Sequence, residues 1–415
     1  MPVRGSCATD QSGARSRTSW GLRLDTKIIT TVVIAALAAL PLQAAAPELP
    51  AAAKAAAAMP EITAPIALLI DVNGGKVLFE RESHRRFVPA SLTKIMTSYV
   101  AFELIKAGKL KLDQRIRMSH EAFAKWHRVG STMFLADGSD TSVAELLEGI
   151  VTVSANDGSV VLAEGAAGNV PAFTAMMNEA AKQLGMKDTH YNTPNGWMDE
   201  GATYVSAADL ATLSTALITR HPDLYARFYG HERLKFRGIE QRNHNPLYGH
   251  VAGADGVKTG FTNEAGYGLV GSAMRDGRRL MMVVGGYDNG KVRARESRDF
   301  LEWGFAAFEA HPLFAKGAQI GKAKVQGGEA REVSLVTPHP LALTWPRGQR
   351  AGYTLSLRYK GPLRAPIKRG DSVASLIVRV PGEGETRLPL VAGADVPQAG
   401  ALARLRNGLL AMIGQ

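Results

Sequence analysis

Pro89-Ala90-Ser91-Leu92-Thr93-Lys94-Ile95-Met96-Thr97 is the stretch whose reading decides the rest of the chain. It sets a hydroxyl and an amine three residues apart at the entrance to Ile95–Leu104, which is apolar almost all round and so predicts a central, buried helix. Positions i and i+3 share one helix face, so Ser91 and Lys94 stand side by side. A lysine kept neutral there can take the serine's proton, and a helix N-terminus favours the negative charge that develops during acyl transfer. Taken alone, Ser-x-x-Lys is a common helix start. Two further motifs downstream, Ser154-x-Asn156 and Lys258-Thr259-Gly260, change that reading.

Upstream, Arg4, Arg15, Arg17, Arg23 and Lys27 precede an uncharged apolar run from Ile28 to Leu40 and then Ala44-Ala45-Ala46. This is the layout of a secretory signal peptide over residues 1–45, with a run too short to span a bilayer comfortably. The one cysteine, Cys7, lies inside this leader, so the expected mature chain has neither a disulfide nor a thiol nucleophile. The 415-residue chain carries a formal +11; the leader takes five positive and two negative charges, a net +3, and leaves +8. An exported basic protein is not expected to serve nucleic acid, and an anionic membrane surface or wall polymer is the expected partner. Residues 46–61, mostly Ala with Pro47, Pro50 and Pro60, read as a low-complexity tether.

The folded part is expected to begin with a hairpin, Ile66–Ile70 and Val77–Phe79 flanking Asn73-Gly74-Gly75. Ser142-Val143-Ala144-Glu145 is a capping box opening a helix to about Val151. Asn156-Asp157-Gly158 should break that helix before Val160–Ala166 resumes, which leaves Ser154-Ala155-Asn156 at a turn. Strands are expected at Gly256–Thr259, Tyr267–Ala273 and Leu280–Val284, the last two joined through Asp276-Gly277. A closing helix over 291–310 follows, then an all-β module to about Leu390 and a Gly/Pro-containing linker at 393–400. Gln398–Gln415 reads as an amphipathic helix with Leu402, Leu405, Leu409, Met412 and Ile413 on one side, a candidate membrane-surface element. Gly285–Lys291 nearly matches a phosphate-binding loop, but Val292 stands where the magnesium-binding hydroxyl belongs, so a strand-to-helix turn is expected. The ten histidines show no metal-ligand spacing, and neither a metal nor a cofactor is expected.

Ser-x-x-Lys on a helix, Ser-x-Asn at a turn and Lys-Thr-Gly on a strand together form the signature set of penicillin-binding enzymes. From about residue 62 to 395 the chain resembles the low-molecular-mass penicillin-binding proteins, the serine-type D-alanyl-D-alanine carboxypeptidases. Pro89–Thr97, Asp255–Tyr267, Gly361-Pro362-Leu363, Ala365–Lys368 and Leu388–Ala392 carry the resemblance. It implies an α+β fold: a penicillin-binding/β-lactamase-like transpeptidase domain at 62–312, with an antiparallel sheet flanked by helices, a small all-β domain at 313–395, and a C-terminal amphipathic helix at 396–415.

The resemblance also implies roles. Ser91 attacks the penultimate D-alanine carbonyl of a peptidoglycan stem peptide, or a β-lactam, and Lys94 takes its proton. Lys258 supplies a cation, Ser154 relays the proton to the leaving amine, and Asn156 holds the substrate amide and Lys94. Thr259 and Gly260 line the substrate strand, and Thr259 with Arg293 binds the terminal carboxylate, Arg295 and Arg298 being rivals to Arg293. The backbone N–H groups of Ser91 and Phe261 form the oxyanion hole. Phe261 departs from relatives that have histidine after Lys-Thr-Gly. The implied location is the periplasm, at the outer face of the inner membrane. Alternatives are a D,D-endopeptidase, a β-lactamase, disfavoured because no Glu-x-x-Leu-Asn lies between the second and third motifs, and a dead wall-binding scaffold, disfavoured by the intact motifs.

Overall fold

The computed structural model describes residues 32–34, 58–349 and 351–400. The rest of the expected leader and tether, and all of the C-terminal helix beyond residue 400, lie outside the described residues. Val32–Ile34, from the apolar run of the leader, pairs antiparallel with Leu355–Leu357.

The expected hairpin forms between β1 (Ile66–Asp71) and β2 (Lys76–Arg81). Its turn is organised by Asp71, whose Oδ1 accepts from the backbone N–H groups of Asn73 and Gly74 at 3.1 and 3.2 Å. Helix α1 (Lys94–Lys106) follows, and its first nine residues are all buried, as an apolar-all-round pattern requires. Helix α2 (Val143–Thr152) carries the capping box in full. Helix α3 spans Asn156–Ala167, so the break before it is shorter than expected: Asn156 and Asp157 begin the new helix instead of interrupting the old one.

Strands β3 (Ala254–Thr262), β4 (Gly266–Arg275) and β5 (Arg278–Tyr287) complete a five-stranded antiparallel sheet in the order β2-β1-β5-β4-β3. Asp276 and Gly277 both have positive φ, 49° and 77°, the conformation that lets a two-residue turn follow the strand twist. Alternate residues of the central strands feed two cores. Leu68, Val270, Met281 and Val283 face the helices around α1, whereas Leu69, Leu269, Leu280, Met282 and Val284 face α4 (Gly290–Ala307) with Phe300 and Leu301. The Gly285–Lys291 segment is the strand-to-helix turn that was expected, with Asn289 Oδ1 capping α4 through the N–H groups of Lys291 and Val292.

Helix α4 stops at Ala307, not near residue 310, because Phe308–Phe314 pairs as a strand with Leu341–Pro346. The β module's sheet runs Val32–Ile34, Thr354–Tyr359, Ser372–Arg379, Glu385–Ala392, Glu332–Val336, Gln319–Gln326, Leu363–Arg364. The stretch read as a linker at 393–400 is instead part of this module, and so are residues 396–400 of the helix expected over 396–415. Val396 bridges Ile367, Gln398 bridges Gly328, and Val396 and Ala399 are both buried. The module touches the catalytic domain at the first hairpin. Thr344 Oγ1 donates to Asp71 Oδ2 at 2.8 Å, Asn73 Nδ2 donates to the Pro340 carbonyl at 3.1 Å, and Lys76 pairs with Glu383 at 2.8 Å.

Candidate active site

Ala90–Thr93 forms one turn of 3₁₀ helix that runs directly into α1. In that geometry side chains at i and i+3 eclipse, which aligns Ser91 and Lys94 more closely than an α-helical start would. The turn is strained at Ala90, φ 48°, and is held from two sides. A Cβ on Gly196 would lie 1.8 Å from the Ala90 carbonyl oxygen, and one on Gly260 would lie 2.7 Å from that of Pro89. Only glycines permit the Asn195 loop and β3 to approach the serine this closely.

Lys94 is 1% exposed, and its Nζ has three partners: Ser91 Oγ at 2.9 Å, Asn156 Oδ1 at 2.8 Å and the Asn195 carbonyl at 2.6 Å. The two amide oxygens can only accept. A neutral amine has two N–H groups and one lone pair, so the two amides take the protons and the lone pair is left for the Ser91 hydroxyl. Burial first, and the charge of Lys258 second, hold the Lys94 pKa well below the ordinary lysine value, with Asp157 opposing. Lys258 is itself pushed down to about 7 by burial, with Arg293 adding to the shift. Its Nζ donates to the Thr259 carbonyl at 2.9 Å.

Ser154 lies between α2 and α3 with φ 64°, buried, and its Oγ has no hydrogen-bond partner among the described residues. Asn156 is fixed by its own N–H to the Ser131 carbonyl at 2.8 Å and by Nδ2 to the Val129 carbonyl at 3.0 Å. Asp157 accepts from the N–H groups of Met133 and Leu135 at 3.0 and 3.1 Å, which ties the 129–135 loop to the base of α3.

A cavity of about 540 Å³ brings together Ser91, Ser154, Asn156, Thr259, Gly260, Phe261 and Arg293 from the sequence reading. Lys94 and Lys258 lie buried behind it. β3 is the edge strand, so one side of its backbone faces the cavity. Phe261 stacks on Tyr267 at 4.1 Å and is 47% exposed. Of the three candidate arginines, Arg293 enters the cavity. It is 9% exposed, its Nη1 donates to the Gly268 carbonyl at 3.2 Å, and its Nε is unpaired among the described residues. Arg298 is engaged with the Pro246 carbonyl and Arg295 with Glu296. Sequence reasoning did not find Asn195, which works through its backbone, nor Trp197 and His244 in the cavity wall. The turn signal Thr193-Pro194-Asn195-Gly196 was the available hint for the first of these.

A serine and a buried lysine on one helix start, a second serine across from them and a lysine-bearing edge strand define the class of penicillin-binding serine acyl-transfer enzymes. The family profile described as D-alanyl-D-alanine carboxypeptidase matches residues 52–289, and that of the penicillin-binding protein 5 C-terminal domain matches residues 308–398. The D-alanyl-D-alanine carboxypeptidase DacA of Escherichia coli (strain K12) is 36% identical over 355 residues, 84% of this chain and 87% of that protein. DacF of Bacillus subtilis (strain 168) is 34% identical over 347 residues, 82% of this chain and 88% of that protein. Penicillin-binding protein 5 from Haemophilus influenzae superposes with a TM-score of 0.65 at 35% identity, covering 82% of this chain and 99% of that one. The chain belongs to the D-alanyl-D-alanine carboxypeptidase family of serine peptidases.

Proposed function

We propose that the protein removes the terminal D-alanine from peptidoglycan stem peptides through an acyl-enzyme on Ser91. The observation that carries this reading is the partner set of Lys94, which fits a neutral amine with its lone pair on Ser91. In acylation the Ser91 proton passes to Lys94 Nζ as Oγ bonds to the penultimate D-alanine carbonyl carbon. The oxyanion accepts from the N–H groups of Ser91 and Phe261. As the C–N bond breaks, the proton travels from Lys94 through Ser154 to the departing amine. Asn156 holds both Lys94 and the substrate amide, and Thr259 with Arg293 takes the terminal carboxylate, for which an arginine fork is suited. Water then cleaves the ester by the reverse proton route. A β-lactam is opened by the same attack, but its leaving amine stays tethered to the acyl group, which accounts for covalent inhibition.

Support for β-lactam reactivity comes from a neighbour, penicillin-binding protein D2 from Listeria monocytogenes in its ampicillin-bound form, 28% identical, TM-score 0.54, covering 59% of this chain and 100% of that one. The leader predicts that the enzyme works outside the cytoplasmic membrane. No single described helix is long and apolar enough to cross a membrane, and attachment is assigned to the amphipathic segment expected over 396–415, whose residues 401–415 lie outside the described residues. Fluorescent penicillin tests the nucleophile: the intact protein should label stoichiometrically and Ser91→Ala should not. Label retained by Ser91→Ala would overturn the assignment.

A further inference from the structure

The cavity wall holds a histidine that the mechanism above leaves unused. His244 lies in Asn243-His244-Asn245, between the strand Ile239–Arg242 and β3, and lines the cavity with Thr259, Tyr267 and Arg293. Its backbone is fastened on both sides. Asn243 Nδ2 donates to the His231 carbonyl at 2.9 Å, and Asn243 Oδ1 accepts from the N–H of Asn245 at 3.0 Å. Asn245, 7% exposed, donates from Nδ2 to the Gly256 carbonyl at 2.9 Å, two residues before Lys258, and accepts from the N–H of Leu247 at 3.0 Å. Two asparagines thus hold a short loop against β3 and present the residue between them to the cavity. The ring has no hydrogen-bond partner among the described residues, so its polar atoms are free for a ligand.

The surroundings specify the ligand's charge. The ring is exposed at the cavity rim; loss of solvation against the cavity wall first, then the charges of Lys258 on β3 and Arg293 on α4, hold its pKa below the ordinary imidazole value. At neutral pH the group is therefore an uncharged N–H donor in a cationic corner, a setting that suits a carboxylate and repels an ammonium.

Resting on the carboxypeptidase reading, we infer that His244 is a specificity-determining residue of the leaving-group subsite. Its imidazole donates a hydrogen bond to the free carboxylate that marks a chain-terminal D-alanine, beside Thr259 and Arg293. It takes no part in proton transfer at Ser91.

The test measures D-alanine release from a pentapeptide ending in D-Ala-D-Ala, and the inhibition constant of the same peptide with a C-terminal carboxamide. His244→Ala should raise KM for the free acid about tenfold, the loss of one charge-assisted hydrogen bond, with kcat within about twofold. The inhibition constant of the carboxamide, whose neutral oxygen accepts a weaker bond, should rise no more than about twofold, and His244→Gln, which keeps an N–H donor, should recover most of the KM. Stoichiometric penicillin labelling of each variant reports that the fold is intact. An unchanged KM, or equal weakening toward acid and carboxamide, overturns the inference while the carboxypeptidase reading stands. No D-alanine released by the unsubstituted protein would sink both.

Discussion

At the scale of single residues, the proposed chemistry depends on two lysines whose pKa values the fold lowers. Burial first and Lys258 second hold the Lys94 pKa well below the ordinary lysine value, so on the proposed mechanism acidification should protonate it and slow acylation. Replacing Lys258 by Met removes the neighbouring cation, and the Lys94 pKa must rise. Penicillin acylation rates as a function of pH should then show the acidic limb moved upward by about 1 unit, with the plateau lowered about 10²-fold; an unmoved limb would show that Lys258 does not tune Lys94. The stability sign follows the same logic. Lys258 sits at about 7 in the folded protein and at roughly 10.4 when unfolded. Between those values the unfolded chain binds the extra proton, so this group's penalty on folding shrinks as pH rises. Ser91 and Lys94 were legible in the sequence because i, i+3 spacing is local. Asn195 and His244 were not, since a backbone carbonyl or a lone histidine gains its role only from where a distant loop comes to rest.

At the scale of elements, hydrophobic periodicity located the sheet strands and α1, and the capping box located the start of α2. It failed where tertiary pairing overrode local pattern. Phe305 and Phe308 continue the helical spacing of Phe300 and Leu301, yet Phe308 opens a strand because Leu341–Pro346 offers it a partner. Residues 393–400 look like a linker by composition, yet Val396 fills the β module's core. The first hairpin shows what one element can coordinate. Asp71 is fully buried, accepts from Arg278 at 2.7 Å and Thr344 at 2.8 Å, and so joins the sheet, the hairpin turn and the β module. Asp71→Ala removes the counter-charge of an Arg278 guanidinium whose side chain is 11% exposed, leaving it the Phe308 and Gly304 carbonyls, and should cost about 3 kcal/mol. Calorimetry should resolve the single transition of the parent into two, one for each domain; a single transition at the parental temperature would show that the hairpin does not couple them.

At the scale of the whole molecule, the catalytic domain and the β module were both expected from the resemblance, and both family profiles match. Their junction could not be read from composition, because it is made by hydrogen bonds between residues some 270 positions apart in sequence. The membrane assignment belongs to this scale too. Gln398 and Ala399 are held by the β module, through Gly328 and Gly327, so a clean truncation ends after Gly400. That shortened protein should keep full penicillin labelling and move from the membrane pellet to the supernatant on lysis; a full-length protein already in the supernatant would refute the anchor.

The three partners of Lys94 come from residues 91, 156 and 195, and its tuning cation from 258. An extended chain has none of these arrangements, and its lysine holds a proton like any other. On the proposed mechanism, newly made protein should therefore be chemically silent toward penicillin until the last of these segments docks. Covalent labelling of Ser91 then works as a clock for the completion of folding as well as a measure of activity, and misfolded copies would be invisible to the drug.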